Sequence, residues 1–307
     1  MTKETMASYA NISIYSAMAV LAVAMILYAV YLAGMVPARV DARSGSPADD
    51  AATPQHARKM GGVAETLTWL GGLLLLLAAV LRGASVNRAP LGNMHEFALV
   101  ASMFTILLFC VWSLKRDLRW LGVFVVTPVL LVLGMAITAW YTEAAELLPS
   151  LKSYWLVIHV VVATFSIALF ILGAVITVLY LLADRRQARG VPEGARPSLL
   201  DKMPNAQALE RMAYGTHIIA FPLWTFTLIA GAIWARQAWG SYWNWDPKET
   251  WTFVIWVVYA AYLHARATTT VSRRTANLVA VAGFVCIILN YVVVNQFLVG
   301  MHSYSGL

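Results

Sequence analysis

Apolar residues run through this chain in long blocks, not in the alternation of a half-buried strand or the narrow stripe of a surface helix. Eight windows approach the roughly 20 mostly apolar residues that a helix needs to cross a bilayer. They lie at about 12–36, 63–81, 97–114, 120–140, 154–182, 214–235, 250–265 and 276–298. The pattern predicts an all-α, polytopic integral membrane protein with about eight transmembrane helices. The fifth window is long enough for its helix to project beyond the bilayer, and the seventh is the least apolar. Between windows, segment 37–62 is rich in Ala, Ser, Pro and Asp and reads as a mobile loop. Segment 184–210, with Pro192, Pro197 and Pro204, reads as a linker with a short helix near 205–213. No internal repeat of the transporter kind is visible. The chain divides into 1–62, a first helix and its loop, and 63–307, a membrane domain carrying a Trp-rich segment at 234–256.

Composition supports this division. Of 307 residues, 60% are hydrophobic and 12% charged, against about 25% charged in a soluble domain. A soluble globule of this length has too little interior for so much apolar side chain. A net charge of +7 would suggest nucleic acid in a soluble protein, but here the charge is partitioned. Alternate loops carry 16 Lys and Arg residues, among them Arg58, Lys115, Arg186 and Arg273; the other set carries 6: Lys3, Arg82, Arg88, Lys152, Arg236 and Lys248. The positive-inside rule puts the first set in the cytoplasm. Both termini and segments 82–96, 141–153, 236–249 and 299–307 are then extracytoplasmic, and no nucleic-acid partner is expected. Cys110 and Cys286 sit inside apolar runs and read as buried small hydrophobes, not as a redox pair. The first apolar window lacks a basic leader and a clear cleavage site, so it reads as a span.

Candidate chemistry is carried by Trp and His. Six of the 12 tryptophans fall between Trp234 and Trp256, and the core of that segment reads WGSYWNWDPKETW (239–251). An interfacial aromatic belt explains one to three Trp at a helix end. A dense cluster interrupted by Asp246, Lys248 and Glu249 suits a large planar ligand held by stacking and edge contacts. Pro247 stops a helix or opens the next one, and Asp246 and Glu249 either orient ligands or cap that helix. His159, near the start of the fifth window, and His302, just past the eighth, meet the membrane at the Trp-rich face. They are either a bis-histidine site for a metal–porphyrin or two unrelated interfacial residues. His264 lies about 20 Å deeper than Trp251 at 1.5 Å per residue, where an ionisable group is a functional candidate. His217 reads as a helix-end histidine at the start of the sixth window, with a ligand role as the alternative. His56 reads as solvated. The carboxylates of such a porphyrin would need cations, for which Arg82, Arg88, Arg236 and Lys248 are candidates.

WGSYWNWDPKETW followed by WVVYAAYLHAR (256–266) resembles the WWD domain of heme-handling proteins, in particular the CcsA/CcsB/ResC subunit of the System II cytochrome c synthase. SYWLVIHV (153–160) and VNQFLVGMHSY (294–304) resemble that family's two outer histidine regions, and PLGNMHEF (90–97) and AFPLWTFTLIAGAIWA (220–235) resemble two further segments. The resemblance runs from about 63 to the C-terminus. It implies that His159 and His302 are outer axial ligands of heme b, that His264 is a membrane-buried ligand on the entry route, and that Trp239, Trp243, Trp245, Asp246 and Trp251 form the platform where attachment occurs. His95 stands where the family usually has an aromatic residue. The implied activity is that of a cytochrome c heme lyase, joining heme vinyl groups to the thiols of a CxxCH segment of apocytochrome c. It implies a ResB-type membrane partner, a thiol-reducing system and a bacterial inner membrane location. The alternative is a heme exporter or CcmC-like delivery protein without ligation activity.

Overall fold

The computed structural model describes residues 1–35, 53–146, 152–190 and 198–302. Among these there are no strands, and eight long helices follow one another: α1 Lys3–Gly34, α2 Gln55–Ser85, α3 Met94–Ser113, α4 Gly122–Thr138, α5 Tyr154–Arg189, α6 Ala206–Trp239, α7 Pro247–Ala267 and α8 Arg273–Leu289. A π-helical turn, Asn290–Val294, and a last helical turn, Asn295–Phe297, continue α8. Seven of the eight, α7 being the exception, are long and apolar enough to cross a membrane. α7 has 21 residues, sufficient in length but less apolar, as the sequence indicates. Large apolar side chains such as Val80, Leu131 and Ile229 are exposed on the helix flanks, the surface that a lipid environment covers.

The helices outrun the apolar windows. α2 starts at Gln55, so 55–62 is helix and not loop. α6 starts at Ala206, so the short helix expected near 205–213 is its first turns. His217 consequently sits three turns inside α6, not at its start. A hydropathy window marks the stretch that resides in hydrocarbon. A helix continues through polar residues as long as each adds a backbone bond, until a cap ends it, as Asn205 does by accepting from Ala208 N at 2.9 Å. Arg39, Arg43 and Arg196, part of the 37–62 segment and the tail beyond His302 lie outside the described residues.

Small residues let the helices approach. A Cβ added at Gly71 would sit 2.7 Å from the Leu21 side chain, and one at Gly61 would sit 2.8 Å from the Tyr31 ring, so α1 and α2 pack with little between their backbones. Helix ends gather in two sets. At one end Arg82 of α2 binds the carbonyl of Thr142 beyond α4, Asn11 of α1 donates to Tyr141, and Ser153 donates to Gln237 of α6 at 2.7 Å. At the other end Lys202 donates to Leu32 and Ala33 carbonyls and Arg266 pairs with Glu210. The first set holds the Trp-rich loop and is called the loop end below.

Candidate functional site

The Trp-rich loop is built by two helix terminations. α6 ends at Gly240, whose φ of +81° closes the helix in the left-handed region. α7 begins with Pro247 at its first position and a reciprocal cap: the Asp246 carboxylate accepts from Lys248 N at 2.9 Å, and Glu249 accepts from Asp246 N at 3.3 Å and Asn244 N at 2.8 Å. Between them Trp245 takes φ +57°, uncommon for a bulky residue, and is 74% exposed.

Asp246 caps and orients at once. Besides the start of α7, its buried carboxylate takes the backbone N–H of Met301 at 2.5 Å and the ring of His302 at 2.8 Å. Burial alone would push this carboxyl up; the hydrogen bond from His302, with the N–H groups of Met301 and Lys248, outweighs it and holds the carboxyl below its ordinary value. Gly300 is required here, because an added Cβ would collide with Asp246 Oδ1. A carboxylate only accepts, so His302 Nδ1 carries a proton.

His159 is prepared in the same way by different means. Its Nδ1 lies 2.9 Å from the Thr227 carbonyl of α6, which fixes the proton on Nδ1. The ring stacks against Trp234 at 6.0 Å and 14° and lies over Gly231, where a Cβ would stand 2.7 Å from its Cε1. Trp239 contacts both Trp234 and His302 edge-on at 4.8 Å. Holding one imidazole nitrogen on an acceptor is the usual orientation of metal-bound histidine. Among the described residues no three His, Cys, Asp or Glu side chains converge.

A cavity of about 160 Å³ opens between them, lined by His159, His302, Trp224, Trp234, Trp239, Trp243 and Lys248, among others. Of the platform residues, Trp239 and Trp243 line it and Asp246 stands behind His302. Trp245 packs on Trp243 at 5.6 Å but points into solvent, and half-buried Trp251 is not part of the lining. His264 lies in the last turn of α7, exposed, away from the other two histidines. Among the proposed propionate partners, Arg82 and Arg88 are both bound to the buried Glu96, and Arg236 reaches the Gly240 carbonyl. Lys248 alone of the four lines the cavity, its ammonium 3.0 Å from the Asn290 carbonyl and 2.7 Å from Asn295 Oδ1. The π turn at 290–294 brings these acceptors to it, a use of π geometry common at functional sites. His95 is buried and donates to the Ala136 carbonyl at 2.8 Å, tying α3 to α4. The roles of Trp224, Trp234 and Thr227 were not singled out by sequence reasoning; the regular spacing along α6 of Trp224, Thr227, Gly231 and Trp234 was the available signal.

Residues 91–302 match the cytochrome C assembly protein family. Cytochrome c biogenesis protein CcsA of Parasynechococcus marenigrum (strain WH8102) is 33% identical over 273 residues, covering 80% of this chain and 87% of that protein. CcsA of Guillardia theta is 34% identical over 242 residues, 71% of this chain and 77% of that one. Among solved structures, the cytochrome c heme lyase CcmF superposes with a TM-score of 0.65 at 16% identity, covering 95% of this chain and 47% of that one; the likeness is one of fold, and this chain spans about half of CcmF. The match over more than half the chain and the identity to full-length relatives settle the lineage: the chain belongs to the cytochrome c assembly protein family, on its System II CcsA-type branch.

Proposed function

We propose that this membrane protein, a heme-handling subunit of cytochrome c maturation, holds heme b at its loop end between His159 and His302 and presents it for attachment to apocytochrome c. The observation that carries the reading is the pair of imidazoles, brought from α5 and from beyond α8 to one Trp-lined cavity, each with Nδ1 fixed by an acceptor. Two neutral histidines on the iron limit stray oxygen chemistry, and Lys248 is placed to meet a propionate. The cavity is smaller than the roughly 300–1,000 Å³ of a ligand-enclosing pocket, so a macrocycle would sit partly in it with an edge exposed. An exposed vinyl edge is what attachment needs. Each CxxCH thiol adds across a vinyl group, its sulfur bonding one carbon and its hydrogen ending on the other, with no net redox change; alignment supplies the acceleration.

The charge partition supports a loop end that faces away from the cytoplasm, and the membrane of this reading is a bacterial inner membrane. His264, exposed near the opposite end of α7, serves as an entry ligand completed by a ResB-type partner, and a separate thiol-reducing system keeps the acceptor cysteines competent. In the test, His159→Ala and His302→Ala should each lose attachment to a CxxCH reporter co-expressed with a ResB-type partner, and added imidazole should restore part of it. Normal maturation in either variant would remove the bis-histidine assignment. A purified wild-type protein that takes up heme with a bis-histidine Soret spectrum but never supports attachment would favour the exporter or delivery alternative.

A further inference from the structure

A second polar centre lies deeper in the bundle, apart from the cavity. His217 of α6 is fully buried, its ring over Gly173 of α5, where a Cβ would stand 2.6 Å from Cε1. Its Nε2 is 3.1 Å from the Thr177 hydroxyl, and that hydroxyl donates its one hydrogen to the Gly173 carbonyl at 2.7 Å. Thr177 can therefore only accept from the ring. The proton of His217 is on Nε2, and Nδ1 is a bare acceptor. Nδ1 has no partner among the described protein atoms.

Two tyrosines of α7 face the same ring. Tyr259 and Tyr262 are both 0% exposed, with ring centroids 5.5 and 5.2 Å from that of His217 and 6.4 Å from each other. Their hydroxyls also find no partner among the described protein atoms. Two helices, α6 and α7, thus bring one acceptor and two donors into a single cluster of rings that apolar packing surrounds. Above it Phe170 stacks on Tyr259 at 3.9 Å and meets Trp224 edge-on at 6.3 Å, separating it from the cavity at the loop end. Below it, one turn beyond Tyr262 and two turns before His217, is the Arg266–Glu210 pair.

Leaving a buried polar atom unbonded is costly, and such groups are normally satisfied by protein or ordered water. A single water has the matching complement: it donates to His217 Nδ1 and accepts from the two tyrosine hydroxyls, within the two to four bonds such waters make. We propose that His217, Tyr259 and Tyr262 form a binding site for an internal water molecule that joins α6 to α7 beneath the cavity. This also separates His217 from iron binding. Tyr262 and His264 are two residues apart, about 200° around α7, so the ring that faces His217 and the exposed His264 are on opposite sides of the helix.

The sign of a stability change tests the site. Tyr259→Phe and Tyr262→Phe, measured by thermal unfolding of the full-length protein in detergent, should each lower Tm, with the double variant less than additive because both serve one water. A hydroxyl that bonds nothing is better removed, so an unchanged or raised Tm in both would overturn the site. An independent measurement needs no variant. X-ray hydroxyl-radical footprinting of the wild-type protein should oxidise Tyr259 or Tyr262 through the adjacent water while sparing Tyr28, which is equally buried and bonded to Thr68. Protection of both at the level of Tyr28 would also overturn it.

Discussion

Replacing Asp246 with Asn isolates what the carboxylate does beyond capping. Asn is as good an N-cap as Asp, so the start of α7 should survive. The carboxylate, however, receives three N–H donors: Met301 N on Oδ1, and Lys248 N and His302 Nδ1 on Oδ2. An amide has one oxygen and an NH2, so at least one donor must face another donor, whichever way it is flipped. The preferred flip keeps Lys248 and His302 and abandons Met301, loosening the segment that carries His302. The surviving His302 bond also loses its charge assistance, worth about 1.5–3 kcal/mol against about 1 kcal/mol for a neutral one. Losing an outer partner of a metal-bound histidine outright typically costs about 10–100-fold in affinity, or roughly 1.4–2.7 kcal/mol, so weakening it should cost the lower part of that range. Titration of hemin into purified protein, followed at the Soret band, should show that loss with Tm lowered only slightly. Asp246→Ala should lose a further ~1 kcal/mol of stability with the cap. Unchanged heme affinity in Asp246→Asn would refute the orienting role and leave Asp246 a cap alone.

Three further outcomes follow from the same geometry. Gly231→Ala puts a methyl 2.7 Å from His159 Cε1, so heme co-purification should fall at least tenfold although Ala is the better helix former; full heme content would mean that the ring is free to shift. Lys248→Met should reduce the preference for heme over its dimethyl ester toward parity, read as a ratio of Kd values, and a wild-type protein with no preference would dismiss Lys248 as a propionate partner. A cysteine placed at 241 should react with an impermeant thiol reagent in intact cells while one placed at 200 is protected; the reverse would invert the assignment of the two faces.

The helical character and the number of helices were legible because hydrocarbon demands long apolar blocks, and these leave few alternatives. Helix ends were less so: Gln55–Gly62 and Ala206–Ala213 are polar enough to fall outside the windows yet remain helical. At the site, His159 and His302 could be placed on one face by tracing the chain from helix to helix, and the Trp-rich string marked the loop. Within the loop the reading ran out, since seven irregular residues have no period to say which rings turn inward. A left-handed backbone at Trp245 sends that ring to solvent, while Trp234, outside the densest part of the string, lies against both histidines. The Lys248 acceptors depend on a π turn 42 residues later, and no local pattern announces it.

The two imidazoles are 143 residues apart in the chain, and each belongs to a different stage of assembly. His159, the Thr227 carbonyl and Trp234 all belong to the α5–α6 hairpin, so half of the site needs only that hairpin to form. The other half must wait for α7 to be capped and α8 to be threaded, because Asp246 cannot position His302 before the segment bearing Gly300 arrives. Iron captured in that interval would meet one imidazole and keep an open face toward oxygen. On the proposed bis-histidine reading, the shared carboxylate would work as a checkpoint: it would tie the competence of the site to completion of the last hairpin, and a chain stalled before that step would have an unfinished grip on its cargo.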